Sequence, residues 1–281
     1  MKLTHYGTAA AEGWPALWCN CESCKTARAR GGKNIRSRSQ SLVNDDLLID
    51  FPPDTYMHTV INGLDLNPVK NVLITHSHGD HLLETEFGYR MEKMFCGVHE
   101  DYVLNVYCSK DVMARCKKTL RGVNEAPLAD HVMFHELTPF TEYQIGDYKV
   151  YPMLADHALN EECLIYAIIS PDGKQLLYAN DTGYFPRATW EFILEKGFSF
   201  DLVSLDCTAG ALVGWWTGHM NYDACDAVKD RLLKCGNARE DTHFIWNHFS
   251  HNCAVLGYEE MVEDAKAHNF DCSYDGKVTE V

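Results

Sequence analysis

Short apolar runs separated by polar turns recur along the whole chain, and most are too brief for amphipathic helices. Residues 2–7 alternate and end at Gly7, predicting an opening strand. Residues 41–50 predict a hairpin that turns at Asn44-Asp45 and returns through Leu47-Leu48-Ile49. Further strands are predicted at 72–75, 102–108, 131–137, 147–155, 201–205 and 243–247, with a second hairpin of 163–169 and 174–179 around Pro171-Asp172-Gly173. Helical periodicity and capping signals place helices at 55–63 behind Asp54, at 84–95, near 110–120, at 188–196, at 222–235 behind Asn221, and at 258–268. No repeat, low-complexity segment or linker interrupts this pattern, so one domain over 1–281 is expected.

The polar residues that close the strands change the picture. The strand at 72–75 runs into His76-Ser77-His78-Gly79-Asp80-His81. Three imidazoles and a carboxylate so close together are costly to leave in a core without partners. Neutral imidazole nitrogens and carboxylate oxygens are what zinc, manganese or iron prefer. His76 and His78, two apart, point the same way in an extended turn and can hold one ion; Asp80 and His81 are offset and can hold a second. That spacing predicts two divalent metals with a water between them. Acids or histidines also close later strands, at Asp156-His157, Asp181, Asp206 and His248. Asp50, at the end of the first hairpin, suits either a carboxylate that orients a metal-bound histidine or one that fixes its own loop.

Cys19, Cys21 and Cys24 form a Cys-x-Cys-x-x-Cys cluster. Three thiols this close favour zinc over disulfides, and a closed zinc site needs a fourth ligand from elsewhere. The other cysteines and histidines of the middle segment, Cys96, Cys108, Cys116, His99, His131 and His135, stand at no ligand spacing and read as structural. The segment 25–40 is the one dense basic stretch, with Lys25, Arg28, Arg30, Lys33, Arg36 and Arg38. It reads as a solvated loop; the sharper reading is that one or two arginines hold an anionic substrate. Residues 208–221 join glycines, Trp215, Trp216 and His219 in a mobile loop with an aromatic face, which either stacks on a base or sugar or packs as a lid.

Composition sets outer bounds. Charged residues make up 23% and hydrophobic ones 46% of 281 residues, ordinary for a globular protein with a sizeable core. The net charge of −15 argues against general affinity for nucleic acid or anionic membranes. There is neither a long apolar span nor a secretory leader, so the expectation is a cytoplasmic protein without a membrane partner.

The His-x-His-x-Asp-His motif, with His157, Asp181 and His248 following at strand ends, resembles the metallo-β-lactamase superfamily. By that resemblance His76, His78 and His157 hold one metal, Asp80, His81 and His248 hold the other, and Asp181 bridges them. The implied fold is α+β, an αββα sandwich of two mixed sheets between helices, which the strand-rich pattern agrees with. The Cys cluster, with His251 three residues after His248 as its fourth ligand, resembles the PhnP-like phosphodiesterase branch associated with the carbon–phosphorus lyase pathway. In that branch a structural Cys3His zinc sits beside the dinuclear site, and His219 looks like its additional active-site histidine. The implied activity is hydrolysis of a small or cyclic phosphodiester. Asp80, Asp181 and His219 are the catalytic candidates: His219 protonates the leaving alkoxide or holds a phosphoryl oxygen, and Asp181 fixes the metal spacing. The metals are zinc or manganese, and a homodimer is expected from the family. A tRNA 3′-processing endonuclease, a thioester or lactone hydrolase, and a non-catalytic metal-binding module are the alternatives. The acidic balance opposes the first, the extra histidine the second, and the intact ligand set the third.

Overall fold

The computed structural model describes residues 1–91, 95–96 and 102–281. Two mixed sheets form its centre. The first has the order β14 (Lys277–Glu280), β1 (Lys2–Gly7), β2 (Gln40–Val43), β3 (Leu47–Ile49), β4 (Asn71–Leu73), β5 (Leu104–Cys108), β6 (Val132–Glu136). The second runs β13 (Asp271–Cys272), β12 (Ala238–Asn247), β11 (Phe200–Asp206), β10 (Gln175–Ala179), β9 (Leu164–Ile169), β8 (Tyr148–Leu154), β7 (Tyr143–Ile145). The helices are α1 (Glu22–Arg30), α2 (Thr55–Ile61), α3 (Thr85–Gly88), α4 (Lys110–Thr119), α5 (Arg187–Lys196), α6 (Tyr222–Lys234) and α7 (Tyr258–Ala267).

Alternation along the strands builds three apolar layers. In β3, Leu47 and Ile49 enter the cluster between the sheets, while Leu48 joins the outer cluster under α4 with Val112, Met113 and Cys116. In β10, Leu176 and Tyr178 face inward, while Leu177 and Ala179 join the opposite outer layer with Trp190 and Ile193 of α5, Val228 of α6 and Met261 of α7. Strands buried on both faces explain the continuous apolar runs of the sequence. The result is the αββα sandwich expected.

Strand direction places the site. β3 to β6 pair in parallel, as do β10 to β12. Parallel strands bring their carboxyl ends to one edge, where ligands of α/β sheets usually lie. The residues after β3, β4, β10, β11 and β12 are Asp50, the His76–His81 motif, Asp181, the Asp206 region and His248.

Some expectations are corrected. The basic stretch is a loop only in part: α1 occupies Glu22–Arg30, and a 3-10 turn follows at Gly32–Asn34. The helix buries only Cys24 and Ala27, so no apolar periodicity announces it. Its N-cap is Cys21, whose sulfur accepts the Cys24 amide, and Gly31 closes it at φ 62°. The helix predicted at 84–95 ends as α at Gly88, followed by a 3-10 turn at Tyr89–Met91; residues 92–94 of that prediction, and His99, lie outside the described residues. Asp54 precedes α2 but makes no capping bond; its carboxylate takes Arg38 Nη1 at 2.8 Å instead. Asn221 caps α6 as expected, accepting the Ala224 amide at 2.9 Å. Strands β7, β13 and β14 carry no signal that was read in the sequence. None of the described helices is long and apolar enough to cross a membrane.

Candidate active site

His76, His78 and His157 come together as one group, and Asp80, His81 and His248 as another, with ligand-type atoms in each group within 4.8 Å of one another. Asp181 lies between them: its Oδ2 is 2.8 Å from His81 Nε2 and 2.9 Å from His248 Nε2, and its Oδ1 is 3.6 Å from His157 Nε2. Asp50, Asp181 and His248 all have positive φ, at 66°, 48° and 61°. Asp50 and His248 follow β3 and β12 directly and Asp181 stands two residues past β10, so the chain turns there sharply enough to aim the side chain across the sheet edge. Such backbone strain persists where surrounding contacts fix it.

Four of the rings are oriented the same way. His81 Nδ1 meets Asp50 Oδ2 at 2.7 Å, His248 Nδ1 meets Thr208 Oγ1 at 2.8 Å, His76 Nδ1 meets Thr75 Oγ1 at 3.0 Å, and His157 Nδ1 meets the Gly218 carbonyl at 3.0 Å. Holding Nδ1 leaves Nε2 for the centre, the usual arrangement around a metal-ligating histidine. His78, exposed at the mouth, presents Nδ1 instead, 3.2 Å from His157 Nε2. Asp50 orients the His81 ring, and its Oδ1 also accepts the Thr75 amide at 2.8 Å, which fixes the motif loop rather than its own. The motif loop is held from outside by Glu161, which accepts the Ser77 amide and, at 2.7 Å, its hydroxyl. Arg115 donates to the Ser77 carbonyl and pairs with Glu84 at 3.0 Å.

The donors fit a divalent metal. His76 Nε2 is buried without a hydrogen-bond partner, and buried His81 Nε2 and His248 Nε2 converge on Asp181 Oδ2 at 2.8 and 2.9 Å without hydrogen-bond geometry. Buried groups of this kind are ordinarily satisfied, and a set of imidazole nitrogens around one carboxylate is what zinc or manganese satisfies. The charges agree. Burial opposes protonation of His81, yet Asp181, Asp50 and Asp80 outweigh it and hold its pKa well above the usual value. His248 is likewise pushed up to about 10, against burial, by Asp181 and Asp206. His76 and His157 shift the other way, chiefly through burial. The acidic side of the centre therefore carries surplus negative charge and favours a cation.

Asp206 is a strand-closing acid whose role only the structure shows. It is fully buried, and its Oδ2 lies 3.0 Å from His219 Nδ1 and 3.4 Å from His248 Nδ1. The same oxygen accepts the Asp181 amide at 3.0 Å, and Oδ1 accepts the Thr208 and Met220 amides, both at 3.0 Å. One carboxylate thus fixes parts of three strand-end loops. Its signal was the one that marked Asp50 and Asp181, an acid closing an apolar strand. His219 stacks on His248, with centroids 5.7 Å apart, and stands 4.9 Å from the His157 ring.

Beside this centre Cys19, Cys21, Cys24 and His251 gather their sulfur and nitrogen atoms within 4.8 Å. His251 Nδ1 is 3.4 Å from Cys21 Sγ and 3.7 Å from Cys19 Sγ. The amides of Cys21, Cys24 and Ala16 point at the sulfurs of Cys19, Cys21 and Cys24, at 3.4, 3.5 and 3.4 Å. Burial opposes ionisation of Cys21, but the Cys24 amide and His251 bring its pKa down to about 6; burial pushes Cys24 up to about 12. All four residues suit a tetrahedral zinc. His248 and His251 share one turn, which ties this cluster to the larger centre.

The basic stretch does not reach the centre. Arg28 donates to the Ala16 and Cys19 carbonyls, Arg30 pairs with Glu259 and Glu260, and Arg38 with Asp54. Arg36 is buried over the Phe249 ring at 4.4 Å and donates to Thr8 and the Ser273 carbonyl. These side chains are paired within the scaffold rather than left free for an anion. Cys108 and Cys116 pack in the core under α4, and His135 bonds Asn105 at 2.8 Å, in keeping with structural roles.

Among solved structures, the chain is similar to zinc-bound PqqB from Methylobacterium extorquens, at 17% identity and a TM-score of 0.75 over all of both chains. It is similar to a diphosphatase from the PhnP family at 20% identity and a TM-score of 0.74, over 100% of this chain and 97% of that one. It is also similar to the short form of human tRNase Z, at 15% identity and a TM-score of 0.65, over 100% and 99%. At such identities these likenesses speak for the fold alone. No curated protein matches the chain. The family model described as the beta-lactamase superfamily domain matches residues 47–232, from the strand before Asp50 through α6. That span takes in the histidine motif, His157, Asp181, Asp206 and His219, so the chain belongs to the beta-lactamase superfamily and is a hydrolase of the metallo-β-lactamase fold.

Proposed function

We propose that this hydrolase is a dinuclear metal-dependent phosphodiesterase acting on small or cyclic phosphodiesters. In this reading His76, His78 and His157 hold one divalent ion, Asp80, His81 and His248 the second, and Asp181 both. Cys19, Cys21, Cys24 and His251 hold a structural zinc. The ions would supply a water acidified toward neutrality and positive charge for the phosphoryl oxygens.

The observation that carries the reading is the His219–Asp206 pair. Asp206 Oδ2 accepts from His219 Nδ1 at 3.0 Å, and the ring lies against those of His157 and His248. With Nδ1 committed to Asp206, a protonated ring offers Nε2–H as its free donor. A leaving alkoxide requires such a proton; an acyl substrate mainly requires an oxyanion partner. Asp206 keeps the ring oriented, and Asp181, anchored through its own amide on Asp206, stays in register with it. The net charge of −15 favours a small substrate over an RNA.

The test is turnover of bis-p-nitrophenyl phosphate and of 2′,3′- and 1,2-cyclic phosphates by metal-stripped protein re-supplied with manganese or zinc, beside His219→Ala. The variant is expected to lose roughly 10²–10⁴-fold on the cyclic diesters, whose leaving group is an alkoxide. It should lose less on the p-nitrophenyl diester, whose phenolate leaves without a proton. No turnover on any diester, with metals shown bound, overturns the proposal.

A further inference from the structure

Trp215 and Trp216 play no part in the chemistry just proposed, yet they sit on the loop that delivers His219. Their side chains are 48% and 39% exposed. The backbone of this loop is pinned on both flanks. The Trp216 carbonyl accepts the Tyr184 amide at 2.7 Å, and the Gly218 amide donates to Asp156 Oδ2 at 3.2 Å. Gly218 also holds His157 Nδ1, and the Trp215 carbonyl accepts the Asn221 amide at 3.2 Å. Gly183, two residues after Asp181, lies so close beneath that a Cβ there would stand 2.5 Å from the Trp216 carbonyl oxygen. The backbone that carries the two tryptophans is therefore held against the chain segments that carry His157, Asp181 and His219.

Their faces are available. Trp216 leans on Tyr184 at 5.6 Å on one side, and Trp215 has no aromatic neighbour among the described residues. From Cys207 to Asn221 the chain carries no Asp, Glu, Lys or Arg, in a protein with 40 acidic residues. Exposed apolar surface next to a polar centre marks a binding site, and rigid indole faces suit planar π-systems.

We propose that Trp215 and Trp216 form a stacking platform for a planar heteroaromatic group, such as a nucleobase, on the part of the substrate that does not react. The platform rests on the phosphodiesterase reading and assigns its substrate class: base-bearing diesters over base-free ones. Trp215 and Trp216 are specificity residues; they touch the substrate and leave the reacting atoms to the centre.

The experiment uses the metal-loaded full chain and three diesters with the same reacting ring: adenosine 2′,3′-cyclic phosphate, methyl riboside 2,3-cyclic phosphate and octyl riboside 2,3-cyclic phosphate. Stacking on an aromatic side chain discriminates by roughly tenfold or more per base. The wild-type ratio of kcat/KM for the adenosine to the methyl compound is expected at that level. It should fall toward unity in the double variant Trp215→Leu, Trp216→Leu and recover with Trp→Tyr replacements. Adenosine 3′-monophosphate should quench tryptophan fluorescence in the wild type and not in the Leu variant. A ratio near unity in the wild type, or one unchanged by the Leu variant, overturns the platform. So does an octyl compound preferred as strongly as adenosine, since apolarity rather than planarity is then being read. If none of the three turns over, the phosphodiesterase reading fails instead, and the fluorescence titration still decides the platform.

Discussion

Replacing Asp206 by Asn removes one charge and almost no volume, so its effect isolates what the carboxylate holds. Asn keeps one acceptor oxygen. Placed at Oδ1, it still serves the amides of Thr208 and Met220. The amide nitrogen then occupies the Oδ2 position, facing the Asp181 amide, His219 Nδ1 and the Thr208 hydroxyl, all of which now approach at 3.0–3.1 Å. The hydroxyl can rotate to accept, and His219 can change tautomer and accept through Nδ1. The Asp181 amide has neither escape. Two charge-assisted bonds are lost, each worth about 1.5–3 kcal/mol, so a stability loss of roughly 2–5 kcal/mol is expected once the variant relaxes. Activity should fall roughly 10–100-fold, as for other groups that orient metal-bound histidines. The loss should be larger in kcat than in KM, because His219 loses the anion that favours its protonated form while the substrate contacts remain. The assay pairs urea denaturation with steady-state kinetics and metal analysis on the same preparation. Full metal content together with kcat within threefold of the wild type would refute the reasoning, since the carboxylate would then be filling space and nothing more.

Other expectations follow from single contacts. Gly183→Ala places a Cβ 2.5 Å from the Trp216 carbonyl oxygen and 2.6 Å from Asp156 Oδ2, so the tryptophan loop must move; a loss of about 1–3 kcal/mol by denaturant titration is expected, and an unchanged midpoint argues against the close packing. Cys21→Ser should remove one zinc per chain by elemental analysis and lower the thermal midpoint, with the loss spreading to activity through the turn shared by His251 and His248; unchanged zinc stoichiometry excludes the thiolate site. His5 is fully buried, and that burial, with Lys277 adding to it, pushes its pKa down to about 3. The unfolded chain takes up the proton near pH ~6.5 and the folded one only near the lower value, so stability present above the unfolded pKa drains away as pH falls between them. Between about pH 7 and 5 the wild type should lose unfolding free energy more steeply than His5→Gln, by at most about 1.4 kcal/mol per pH unit; equal slopes contradict the shift.

Much of the centre was legible because its donors are contiguous or close strands directly. The His76–His81 motif needs no tertiary contact to be recognised, and β4, β8, β10 and β12 announce themselves as apolar runs ending in a histidine or acid. The Cys cluster was legible for the same reason, three thiols on one short stretch. Asp206 closes a strand in the same way, but its role was not legible, because its partners His219 and His248 lie 13 and 42 residues further along. Helix α1 escaped because it buries only two side chains, and the short strands β13 and β14 because two to four residues give no period to read.

The sequence by itself determined the apolar alternation that builds two sheets, the helices with clear caps, and the donor types at the strand ends. Those are local properties, set by side-chain chemistry and spacing along the backbone. The tertiary structure decided which donors meet, that Asp181 lies between the two groups, that Nδ1 is held and Nε2 left free in four rings, and that Arg36 is buried over Phe249 rather than offered to a substrate. These depend on parallel strands from distant parts of the chain ending at one edge, and on charges that become strong only when burial takes water away from them.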